Sequence, residues 1–199
     1  MRIAIMVDPL FFMMSRGESC VNKNSMSRKL AMAGILTALA VVGSLISFPI
    51  AGSRCAPVQH MINVFAAVML GPFWGVGIAF CASLLRNLLG LGTLMAFPGS
   101  MVGALCCGIV FSIMKKMTFK VRLAFTCTAE AFGTGVLGGI AAYPIAKLLM
   151  GLNPEGMFVY IIPFLISTVA GSILAYVIIL QLNRNGAFRK LYLCSSTRK

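Results

Sequence analysis

Six apolar runs, parted by short polar or Gly/Pro-containing breaks, organise this chain. A spanning helix takes about 20 mostly apolar residues. On that measure the pattern predicts helices over residues 30–48, 57–70, 73–89, 98–113, 123–150 and 157–182. The first run stops at Pro49 and Gly52. Gly71-Pro72 parts the second from the third, because proline lacks an amide hydrogen and clashes with the preceding turn. The second run is short for a full crossing, so it is expected to be tilted, partly unwound or shielded by neighbours. Five spans is the fallback, with the second and third runs as a re-entrant pair. The domain reading is a tail over 1–29, a six-helix membrane domain over 30–182 and a basic tail over 183–199. Asp8 and Pro9 interrupt the apolar start, and no small-residue cleavage site follows it. Met26 is an alternative start, which would make the first 25 residues an upstream extension.

Composition fixes the solvent. The 199 residues are 59% hydrophobic and 11% charged, with a mean hydropathy of +0.95. A soluble domain carries roughly a quarter charged residues, so the chain reads as an all-α integral membrane protein. Its net charge of +13 does not form one continuous basic face of the kind that binds nucleic acid; it flanks the apolar runs. Arg2, Arg16, Lys23, Arg28 and Lys29 precede the first helix, and Lys115, Lys116, Lys120 and Arg122 separate the fourth from the fifth. Arg184, Arg189, Lys190, Arg198 and Lys199 follow the sixth. With six spans all of these share one face, which the positive-inside rule makes cytoplasmic, together with both termini. The opposite loops, 49–56, 90–97 and 151–156, keep only Arg54, with Arg86 and Lys147 near the outer ends of helices three and five. Five spans would place one basic terminus outside.

Few residues carry chemistry. The seven cysteines form no CxxC pair or Cys/His zinc spacing, so no metal and no disulfide framework is expected. No GxSxG, HExxH or Walker sequence is present, and one histidine with four acids leaves little for acid–base catalysis. No internal repeat of the transporter kind is seen. A shared depth is the remaining clue. By helical rise, His60, Asn63, Arg86, Asn87, Tyr143 and Tyr160 fall in one outer layer, with Phe97 at its edge. Convergent polar groups in an apolar wall suit a small-molecule site, and ionisable groups at membrane depth are costly enough to need a reason. Plainer roles compete with this one: a terminal arginine snorkels to headgroups, and a histidine near a helix start satisfies a carbonyl. Lys147 reads as a snorkelling residue and Trp74 as an interface anchor in a cytoplasmic turn. Glu130 reads as about 10 Å deep from the cytoplasmic side of the fifth helix, apart from the outer layer.

The stretches Met61-Ile62-Asn63-Val64, Leu70-Gly71-Pro72-Phe73-Trp74-Gly75, Leu85-Arg86-Asn87-Leu88-Leu89-Gly90 and Phe97-Pro98-Gly99-Ser100 resemble the ThiW family. Its members are substrate-binding S components of energy-coupling factor (ECF) transporters. The resemblance covers residues 28–182 and is most specific between His60 and Gly103. It implies a six-helix S-component fold in a bacterial plasma membrane and uptake of a thiamine precursor, the hydroxyethylthiazole moiety. It further implies partners: a membrane T component and two ABC-type ATPases, which would supply the Walker sequences missing here, with no cofactor on this chain. The family's A-x-x-x-A docking pattern on helix one has its nearest match in Gly34-Ile35-Leu36-Thr37-Ala38, with Ala31 one turn earlier. Small residues four apart favour close helix contact in either case. Family behaviour also implies that the loaded subunit topples in the membrane to deliver its outer site inward. Two alternatives stand beside this reading: an S component for another vitamin, and an intramembrane enzyme acting on a lipid or isoprenoid, which would need Glu130, His60 or Arg86 at one depth.

Overall fold

Proline and glycine punctuate the apolar runs, and the helices follow that punctuation. The computed structural model describes residues 26–50, 53–153 and 156–185. In it, α1 spans Met26–Gly43, α2 Pro57–Met69, α3 Pro72–Leu88 and α4 Ala96–Ile113. α5 is one 30-residue rod, Phe119–Leu148, and α6 covers Ile161–Arg184. Both α2 and α3 carry proline in the first turn, where its fixed φ suits the helix and its missing N–H has no acceptor to lose. Four helices, α1, α4, α5 and α6, are long and apolar enough to cross a membrane. The chain is therefore a multi-pass membrane protein. α2 and α3, with 13 and 17 residues, are shorter.

The first run departs most from its predicted bounds. α1 begins at Met26, inside the stretch read as tail, and ends at Gly43 instead of continuing to Phe48. A hairpin follows in place of plain loop: β1, Phe48–Ile50, pairs antiparallel with β2, Ser53–Cys55, with Phe48 opposite Cys55. Pro49 is tolerated because both strands of a two-stranded ribbon are edges. Most of the two predicted tails, and with them Arg2, Arg16, Lys23, Arg189, Lys190, Arg198 and Lys199, lies outside the described residues.

α2 is the hub. It packs against α1, α3, α4, α5 and α6, and eight of its residues are buried, from Gln59 to Val68. At about 1.5 Å per residue it is far shorter than a hydrocarbon core of about 30 Å, and its neighbours shield it, one of the three expected outcomes. On one side Val64, Ala67 and Val68 pack with Cys107, Phe111, Leu123, Ala175 and Ile179. On the other, Ile62 and Ala66 pack with Ala33, Leu36 and Ala40 of α1 and with Ile78 and Ala82 of α3. Trp74, in the first turn of α3, lies half-buried against that second cluster.

α5 departs from a plain α-helix in its middle and from the predicted bounds at its start. Its middle, Ala131–Gly138, is π-wound, a form often found at functional sites. Its start lies four residues before the predicted one, so Arg122 is helical, not part of the turn. Arg122 Nε donates to Phe111 O at 2.7 Å, and its guanidinium lies 3.4 Å over the Phe111 ring, a cation–π contact.

Candidate functional site

One end of the molecule gathers the N-termini of α2, α4 and α6 around the C-terminus of α3. α3 stops there because Gly90 adopts φ +70°, the left-handed conformation that ends helices and favours glycine. The chain then folds back so that Leu91 N and Gly92 N donate to Arg86 O at 2.8 and 3.1 Å. Arg86 is thereby held by its backbone in the last turn of α3. Its side chain turns inward, is only 2% exposed, and lines a small cavity. Gln59 and His60 of α2 line the same cavity, with Ser100 of α4, Phe164 and Ser167 of α6, Thr93 of the loop after α3, and Arg54 of the hairpin.

Beneath it lies a buried polar network. Glu130 is fully buried, and its Oε1 accepts from Asn63 Nδ2 at 3.0 Å and from Thr134 Oγ1 at 3.1 Å. His60 Nδ1 is 3.0 Å from the same oxygen. With Oε1 already accepting two hydrogens, the imidazole hydrogen is placed on Nδ1. Cys107 Sγ donates to Oε2 at 3.1 Å. Such satisfaction is what a buried carboxylate requires. A second chain runs alongside: Gln59 Nε2 donates to Ser83 Oγ at 3.1 Å, and Ser83 Oγ lies 2.9 Å from Ser100 Oγ, which donates to Ala96 O at 2.8 Å.

Arg86 stands apart from both chains. Its Nε has no hydrogen-bond partner among the described residues. Glu130 is the only carboxylate among those residues, and its contacts are those just given. A buried cation without a counter-charge is costly, so this guanidinium is the feature of the cavity that most needs a partner.

The sequence-predicted site residues divide. His60 and Arg86 line the cavity, and Asn63 supports it from below through Glu130 and through Ser100 O at 3.3 Å. Asn87 braces the loop: its Nδ2 donates to Ser83 O at 2.9 Å and Thr93 O at 3.3 Å. Phe97 packs edge-on to Phe80, ring centroids 5.8 Å apart. Tyr160 is buried beside Met95, Ala142, Ala146 and Phe164, one residue removed from the cavity wall. Tyr143 is half-buried on α5 and is not in that wall. Glu130, placed away from the outer layer by helical rise, joins His60 and Asn63 instead. It was legible only as the lone acid within a predicted span. Gln59, His60 and Asn63 share one face of α2 at helical spacing, a signal that could have brought in Gln59.

The cavity is closed. Its free volume is about 10 Å³, close to the minimum for one water, so a ring-sized ligand needs it to open. The hairpin covers part of it and is fastened to α6: Ala56 N donates to Ser167 Oγ at 2.9 Å, and Cys55 Sγ to Pro163 O at 3.2 Å. Burial also pushes the Cys55 thiol above its ordinary pKa. Less thiolate is therefore present at any pH near 8 than on a free cysteine, and reactivity follows the thiolate. In a variant retaining Cys55 as its sole cysteine, maleimide labelling is expected to be at least tenfold slower than at an exposed cysteine, and slower still with ligand bound. Labelling at the exposed rate in both states would show that the hairpin is not fastened in this way.

A family model described as thiamine-precursor transporter protein (ThiW) matches residues 30–185. No curated protein and no solved structure matches the chain.

Proposed function

The chain belongs to the ThiW family of thiamine-precursor transporters, and from that premise we propose that it is the substrate-binding S component of an ECF-type importer. Its cargo is a thiazole-type heterocycle, hydroxyethylthiazole or a close derivative. The observation that carries this reading is the cavity where three helix N-termini meet Arg86, an enclosure in which polar side chains from several helices converge beside an aromatic ring. Phe164 offers the heterocycle an aromatic wall, while Gln59, His60, Ser100 and Ser167 offer hydrogen bonds. All six helices take part in the membrane domain on this reading, α2 and α3 as short spans, and both termini face the bacterial cytoplasm. The basic residues flanking the helices support that orientation.

The partner surface lies on α1. Ala31, Gly34 and Ala38 are exposed along one side of it, next to Ile35, Leu39 and Val42, and a side chain at Gly34 would meet nothing within 4 Å. The opposite side of α1 is occupied by packing through Ala33, Leu36 and Ala40. A stripe of small residues in an apolar face admits close approach by another helix, here the T component, with two ABC-type ATPases driving transport. Gly34→Leu and Ala38→Leu are therefore expected to leave thiazole binding by the purified chain within twofold of wild type. The same changes should cut uptake by cells carrying the complete transporter, and co-purification of the T component, by at least tenfold. Intact assembly in both variants would remove α1 as the docking face.

A further inference from the structure

We infer that the ligand of this cavity carries a compact oxyanion, a carboxylate or a phosphate ester, held by Arg86 and Arg54. The inference rests on reading the cavity as the thiazole site and specifies the chemistry of what enters it. Arg86 is almost wholly buried, faces the cavity, and leaves Nε without a partner among the described residues. Arg54, an exposed residue of the hairpin, lines the same space. Two like charges around so small a volume repel unless something negative lies between them. The sole carboxylate among the described residues is engaged below the cavity by His60, Asn63, Thr134 and Cys107.

The backbone reinforces the sign. α2, α4 and α6 all bring their N-terminal ends to the cavity: Gln59 and His60 lie in the first turn or so of α2, Ala96 and Ser100 in that of α4, Pro163 and Phe164 in that of α6. None of the three has a side-chain cap bonded to its first amides. Helix N-termini carry partial positive charge and favour anions. A guanidinium matches the two oxygens of a carboxylate or phosphate with paired donors, whereas a neutral alcohol satisfies one donor and leaves the charge unbalanced.

The test is calorimetric binding by the full chain in nanodiscs. The probes are neutral hydroxyethylthiazole, its monophosphate ester, a carboxylate-bearing thiazole, and inorganic phosphate alone. The expected result is that at least one anionic thiazole binds tenfold or more tightly than the neutral alcohol; which of the two does so identifies the oxyanion. Arg86→Gln should reduce that preference to threefold or less. Arg86→Lys, which keeps the charge but loses the fork, should fall between. Size-exclusion profiles and melting temperatures establish that each variant is folded. Equal affinity for neutral and anionic probes, unchanged in Arg86→Gln, would overturn the oxyanion and leave the thiazole site standing. Phosphate binding that depends on Arg86, without binding of any thiazole, would support the oxyanion and remove the thiazole. No binding of any probe to folded wild-type protein would overturn both.

Discussion

Replacing Glu130 by leucine is expected to destabilise the protein by about 2–6 kcal/mol, because two buried donors lose their acceptor. Leucine fills a similar volume but accepts nothing. Asn63 Nδ2 keeps Ser100 O at 3.3 Å, and Cys107 Sγ keeps Thr126 O at 3.5 Å. His60 Nδ1 and Thr134 Oγ1 lose the contacts that Glu130 Oε1 supplies, at about 1–3 kcal/mol for each group left unsatisfied. Glutamine retains an acceptor oxygen at that position, so Glu130→Gln should lose less than half as much. Thermal unfolding in detergent, followed by Trp74, the chain's single tryptophan, separates the two variants. A melting temperature that leucine leaves unchanged would mean that the network contributes nothing to stability. His60 also lines the cavity, so the leucine variant should bind ligand more weakly even where it remains folded.

Gly171→Ala should have a comparable effect through packing alone. A Cβ at Gly171 would overlap the Pro57 carbonyl oxygen and come within 2.8 Å of His60 Cβ and 3.1 Å of Met61 N. Two of those three neighbours, Pro57 O and Met61 N, are backbone atoms near the start of α2, which no rotamer change can move. α2 must shift away from α6, and overpacking of this kind costs about 1–3 kcal/mol. The shift displaces Gln59 and His60 from the cavity wall, so ligand affinity should fall at least tenfold. Gly34→Ala is the matched control, because its Cβ would meet nothing within 4 Å and alanine favours helix by about 1 kcal/mol over glycine. Equal stability and equal affinity in the two variants would show that the α2–α6 contact is not tight in solution.

The two changes probe different links to the same site. Glu130 acts from below, by fixing the imidazole of His60 through a hydrogen bond. Gly171 acts from the side, by letting the backbone of α2 lie close against α6. Both bear on α2, whose 13 residues are held in place by the helices around it more than by their own length.

The helices were legible from the chain because span length and apolar content are local properties, and lipid demands them segment by segment. Every predicted run became a helix, with ends displaced by at most five residues. Arg86 was legible as well, since a cation at the end of an apolar run is conspicuous in composition alone. Depth was not. Reckoning from helix ends assumes that every helix starts at one common level, yet His60 Nδ1 lies 3.0 Å from Glu130 Oε1. His60 therefore lies level with Glu130, the twelfth residue of a 30-residue rod, and the carboxylate set apart by helical rise became the centre of the network.

What the sequence by itself determined is that this chain dissolves in a membrane as a set of apolar helices, where the charges stand along it, and which family it resembles. Those follow from hydropathy, from the sign and spacing of charges, and from short motifs, all of which are written in order along one dimension. Only the tertiary structure decided that Arg86 is buried without a counter-charge among the described residues, that Asn87 braces a loop, and that three helix N-termini share one cavity. Each of those depends on side chains far apart in sequence meeting in space. Burial and hydrogen bonding belong to such meetings and not to any single segment.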